Sequence, residues 1–83
     1  MAAKYPYPLN DILIKSRDAA KGGFDVLSTG EKLAAALVLN RPDWLRDTDY
    51  TMAEAIDRVG RDWLAQIPQA ARILDEEGLV SRE

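Results

Sequence analysis

The longest uninterrupted apolar stretch in the chain is Leu33–Leu39, which carries no polar side chain. A helix that is apolar nearly all round must be covered nearly all round. Its boundaries are marked. Ser28 and Glu31 form a capping box, in which each satisfies the other's backbone N–H. Asn40 can adopt the left-handed turn that stops a helix, and Pro42 blocks continuation. The pattern predicts a central helix over residues 28–40. Upstream, Leu9, Ile12, Leu13, Ser16 and Ala20 share a helical face, with Asn10 as N-cap, Asp11 and Lys15 paired on the outer side, and Gly22-Gly23 as the stop. This gives a helix over 10–20. Phe24 and Val26 follow on a connector that plugs the core.

Downstream, Thr51 and Glu54 form a second capping box, ahead of Met52, Ala55, Ile56 and Val59 at helical spacing. That helix spans 51–60 and closes at Gly60, with Glu54–Arg58 and Asp57–Arg61 as outer pairs. The last pattern is Leu64, Ile67, Ala71 and Leu74, a helix over 61–77 that ends at Gly78 with Leu79 folding back on Leu74. Pro68 lies inside it. The apolar register survives the proline, which favours one helix kinked near Gln66–Ile67 over two separate helices. Trp44 and Leu45, after Pro42, pack inward. The expected fold is all-α: a compact single domain, 1–83, of four short helices around Leu33, Leu37, Ile56 and Leu64. An extended, polyproline-like arm covers 1–9, because Tyr5-Pro6-Tyr7-Pro8 resists helix, and a frayed tail covers 81–83.

Composition narrows the function more than it names it. Eighty-three residues with 47% apolar and 30% charged side chains suit one soluble globular domain. There is no cysteine and no histidine. Disulfides, the usual structural zinc ligands and the commonest general base are therefore missing. No run is long enough for a bilayer span, and the first residues lack a signal-peptide core. A cytoplasmic protein without membrane contact is expected. Residues 1–41 carry six basic and four acidic side chains, net +2; residues 42–83 carry five and ten, net −5; together −3. That asymmetry is ordinary solvated surface or the basis for contact between copies.

Three motif fragments fail on their own terms. Thr29-Gly30-Glu31-Lys32 matches a zinc-finger linker in a chain without zinc ligands, and as a phosphate loop it has Glu31 between the glycine and the lysine. Asp47-Thr48-Asp49 opens like a calcium loop but has Met52 and Arg58 where glycine and glutamate are required. The hydroxyls have no histidine partner, so no nucleophile–base pair is readable. No metal site, cofactor or catalytic residue is assigned.

The stretch Leu27–Leu45, with Leu-Ser-Thr-Gly-Glu-Lys-Leu-Ala and Arg-Pro-Asp-Trp-Leu, resembles small uncharacterised proteins of Gram-negative bacteria, some carried on plasmids or genomic islands. The resemblance supplies no catalytic or binding residue.

By elimination, the expected role is a protein–protein interaction module or regulator with an unknown protein partner, a homodimer being one arrangement. The aromatic residues Tyr5, Tyr7, Trp44, Tyr50 and Trp63 are the candidate contact residues, because tyrosine and tryptophan are favoured at the centres of contacts. Two alternatives belong to other classes. One is a helical DNA-binding regulator reading through Met52–Val59 with Arg58 and Arg61. It is disfavoured because residues 41–62 are net −2 and the span from Asn40 to Thr51 is too long for a standard helix-turn-helix. The other is an enzyme with an Asp/Glu or Tyr site assembled in space.

Overall fold

The computed structural model describes residues 4–82, and among them every regular element is helical. Six α-helices follow one another: α1 (Leu9–Asp18), α2 (Thr29–Val38), α3 (Pro42–Asp47), α4 (Met52–Val59), α5 (Arg61–Leu64) and α6 (Ile67–Glu76). A π-helical turn, Ala19–Gly23, and a single 3-10 turn, Phe24–Val26, connect α1 to α2. The radius of gyration is 11.7 Å, matching the ~12 Å of a folded globule of this length.

Helix α2 packs against α1, α3, α4 and α6. Leu33, Ala34, Ala35, Ala36, Val38 and Leu39 are all buried. The alanines let neighbouring backbones approach from more than one side, and the larger residues fill the gaps between them. Leu9, Ile12 and Leu13 of α1 and Ala70 and Leu74 of α6 complete the interior.

Local signals set the boundaries. Both capping boxes form: Ser28 Oγ accepts from the Glu31 N–H and Thr51 Oγ1 from the Glu54 N–H, while each glutamate accepts from the cap residue's own N–H. Three helices end in the same left-handed motif, in which the residue after the left-handed one donates five positions back. Arg41 N–H reaches the Ala36 carbonyl after Asn40 (φ 57), Tyr50 N–H reaches Leu45 after Asp49 (φ 61), and Leu79 N–H reaches Leu74 after Gly78 (φ 77).

Several expectations give way. Leu9 belongs to α1, and Asn10 lies within the helix, not at its cap. The segment before it is no extended arm: Pro6 and Pro8 carbonyls accept from the Asn10 and Ile12 N–H groups, so the chain already turns into the helix there, through a cis Tyr7–Pro8 bond. Residues 1–3 of that arm lie outside the described residues. α-Helical geometry ends at Asp18, and the π turn rotates Ala19, not Ala20, into the core. Gly22 has φ 101, and a Cβ on Gly23 would stand 2.9 Å from the Asp18 carbonyl oxygen, so the turn needs both glycines. Val26 is 88% exposed; only Phe24 of the connector reaches the core.

The span 61–77 is two helices. α5 stops at Leu64, Ala65 and Gln66 make the turn, and α6 starts at Ile67 with Pro68 in its first turn, where a missing N–H needs no partner. Ile67 still packs on the core. The expected core centre also shifts. Leu33 is fully buried, Leu37 and Leu64 only partly, and Ile56 is exposed, because α4 is held against α2 through Ala55 and turns Ile56 outward. Of the tail expected to fray, Ser81 N–H donates to the Leu39 carbonyl at 2.8 Å, Asn40 Nδ2 donates to the Ser81 carbonyl, and Arg82 pairs with Asp75. Glu83 lies outside the described residues.

Charge contributes at a few seams. Arg17 of α1 grips Glu77, just after α6, with two hydrogen bonds of 3.0 and 2.7 Å. Lys15 lies 3.9 Å from Glu31 of α2, not against Asp11. Glu54 is occupied by its cap, so its expected pairing with Arg58 does not form. Among the described residues one buried side-chain polar atom is isolated: Ser16 Oγ meets no hydrogen-bonding protein group.

Three outcomes follow from this packing. Leu33→Ala should cost about 2–5 kcal/mol in chemical denaturation, whereas Ile56→Ala should cost less than about 1 kcal/mol because the side chain is already in water. Ser16→Ala should raise stability by about 1 kcal/mol, removing an unpartnered hydroxyl and adding helix propensity. Arg17 holds the Glu77 carboxyl below its ordinary value, and the Thr51 backbone N–H does the same to Glu54. A folded-state pKa that is depressed gives stability that is present above the unfolded value and lost as pH falls through the folded one. The urea midpoint should therefore hold above pH 4.5, the ordinary value for both groups, and decline below it. Glu77→Gln should lower the midpoint at neutral pH and flatten that decline.

Candidate functional site

The five aromatic candidates do not assemble into one surface. Trp44 follows Pro42 in the first turn of α3, which aims it inward. It is 9% exposed, and its ring stacks on Phe24 at 4.5 Å between centroids with 27° between planes. The Arg41 guanidinium lies over its outer face at 4.2 Å. Arg41 is held there by Asp43, whose carboxylate accepts from Nε and Nη2 at 3.0 and 2.8 Å. The same guanidinium keeps the Asp43 carboxyl below its usual range. Trp44 is thus a core residue capped by an ion pair, not an outward contact residue.

Tyr7 and Trp63 do come together. Trp63 Nε1 donates to Tyr7 Oη at 3.2 Å, joining the start of the fold to α5. Tyr7 is 71% exposed, while Trp63 packs partly on the core. Tyr5 borders a polar cavity of about 380 Å³ with Lys4, Asn10, Arg17, Glu76 and Glu77, in which Arg17 and Glu77 pair with each other. Tyr50 packs on the core beside a separate hollow of about 240 Å³ with Arg46 and Glu54.

The surface that stands out lies on α4 and α5. Met52 is 58% and Ile56 43% exposed, one helical turn apart on one side of α4. Beyond Ile56 the chain turns at Gly60, with φ 91, and α5 begins at once. The turn leaves an open hollow of about 560 Å³ lined by Ile56, Asp57, Gly60, Arg61, Leu64 and Ala65. A smaller one of about 50 Å³, among Leu37, Pro42, Leu45 and Met52, lies at the other end of α4. Together they make an apolar strip interrupted by the two side chains that project from it. Asp57 and Arg61 are exposed on the larger hollow, and neither is in an ion pair among the described residues.

This face was not legible in the sequence. Met52, Ala55, Ile56 and Val59 form a helical stripe, and such a stripe ordinarily marks a buried side. Only Ala55 is fully buried and Val59 partly so. The width of the stripe exceeds what α2 can cover. Chemically the strip offers alkyl surface with one acid and one base at its edge. Among the described residues no cluster of three or more potential metal ligands occurs, and no helix is long and apolar enough to cross a membrane. No family model matches the chain, and neither a curated protein nor a solved structure matches it.

Proposed function

We propose that this chain is a small protein-contact module without catalytic activity, acting in the cytoplasm, and that its working surface is the strip on α4 and α5. The observation that carries this reading is the exposure of Met52 and Ile56, side by side, in a chain of only 83 residues. Burying apolar area is worth roughly 25 cal/mol per Å², so leaving two large side chains in water forgoes stability that a small domain needs. A partner helix laid along the strip recovers it, with anchors one turn apart in the manner of helix-in-groove contacts. The larger hollow is too open to enclose a small molecule, which ligand sites ordinarily do over most of its surface. In this reading α1, α3, α4 and α6 are the cover of a central α2, and α4 is the part of the cover with a second face to spare. The absence of cysteine from the sequence is consistent with a reducing compartment.

The test is a tagged pull-down from the native host with nuclease treatment. Captured proteins should survive the nuclease and be lost from Ile56→Asp, while Ile14→Asp, at an exposed position on α1, should retain them. Both variants should keep the wild-type helical spectrum and cooperative melt. Capture that disappears with nuclease, or that persists in Ile56→Asp, would overturn the proposal.

A further inference from the structure

We infer that the α4–α5 strip is covered by a second copy of this chain, related by a two-fold axis passing close to Gly60. This rests on the contact reading above and adds the identity of the partner. An isologous contact must be self-complementary, because the same patch supplies both sides. The residues lining the larger hollow meet that condition about Gly60. Ile56 lies four positions before it and Leu64 four after; Asp57 lies before it and Arg61 after. With the two chains antiparallel across the axis, Ile56 of each copy meets Leu64 of the other, and Asp57 of each meets Arg61 of the other. The lining of the hollow thus carries both members of each pairing.

Two further observations support the arrangement. A Cβ placed on Gly60 would meet nothing within 4 Å, so the point nearest the axis is open and carries no side chain to hold the copies apart. Asp57 and Arg61 are unpaired within the chain among the described residues, so each is available to the other copy. A partner with a uniformly acidic or basic helix would match one of them and repel the other. A second copy matches both, twice.

The patch is small beside the roughly 800 Å² per partner of a standard interface, so the dimer should be weak, with a dissociation constant of roughly 10 µM or higher. Sedimentation equilibrium of the whole chain should show a reversible monomer–dimer exchange. Ile56→Asp should remain monomeric throughout. Asp57→Arg alone should weaken association by at least about tenfold, since it sets like charges together twice. The double variant Asp57→Arg with Arg61→Asp should return to within about threefold of wild type, because the exchanged charges again oppose one another. A wild-type chain that stays monomeric up to about 1 mM would overturn the dimer. If host proteins are still captured through Ile56 in that case, the contact reading stands and only the identity of the partner falls. A dimer that withstands Ile56→Asp, or that the double variant fails to restore, would also overturn this inference.

Discussion

A helix whose residues from Leu33 to Leu39 are all apolar has no side that it can leave in water, and a domain of this size has little material with which to cover it. The arrangement of the other elements answers that constraint. Helices α1, α3, α4 and α6 all contact α2. The three consecutive alanines allow this, because a helix with bulkier residues there would hold its neighbours too far out to seal the interior. Without disulfides, the packing itself has to supply the stability.

None of the surrounding helices exceeds ten residues, and isolated helices of that length are marginal in water. Several of the helices, α2 included, are therefore specified at their ends. Two capping boxes start helices, and left-handed closures at Asn40, Asp49 and Gly78 stop three of them. These devices fix where the chain turns, and packing on α2 makes the turns worth keeping. Surface charge adds fine adjustment: Arg17–Glu77 ties α1 to the end of α6, and Arg41–Asp43 covers the outer face of Trp44.

This division explains what could be read in advance. The caps at Ser28 and Thr51, the stops at Asn40 and Gly78 and the inward Trp44–Leu45 pair are local signals within a few residues, and the all-α class follows from them. The misreadings involve competition between distant parts. Pro68 keeps the apolar register on both sides, and only the turn at Ala65-Gln66 reveals two helices where the stripe suggested one. The stripe of α4 gives no indication of how much of it α2 can cover, so Ile56 looked central and lies outside. Trp44 carried two expectations, inward packing and partner contact, because tryptophan serves cores and contacts equally well; its stacking on Phe24, twenty residues earlier, decides for the core. The candidate surface on α4 and α5 was hidden for the same reason, since a buried and a spare apolar face have the same spacing.

The way α2 is covered has a consequence for the order of events during synthesis. One side of it is sealed by α1, which precedes it, and another by α6, which emerges some thirty residues later. Its closing turn is held in part by Ser81, through the carbonyl of Leu39 and the side chain of Asn40. A nascent chain that has reached only α4 therefore carries the apolar run Leu33–Leu39 without the contacts that α6 makes with α2. α2 completes these contacts only once α6 and Ser81 have been made, and until then Leu33–Leu39 is the segment most open to unwanted association.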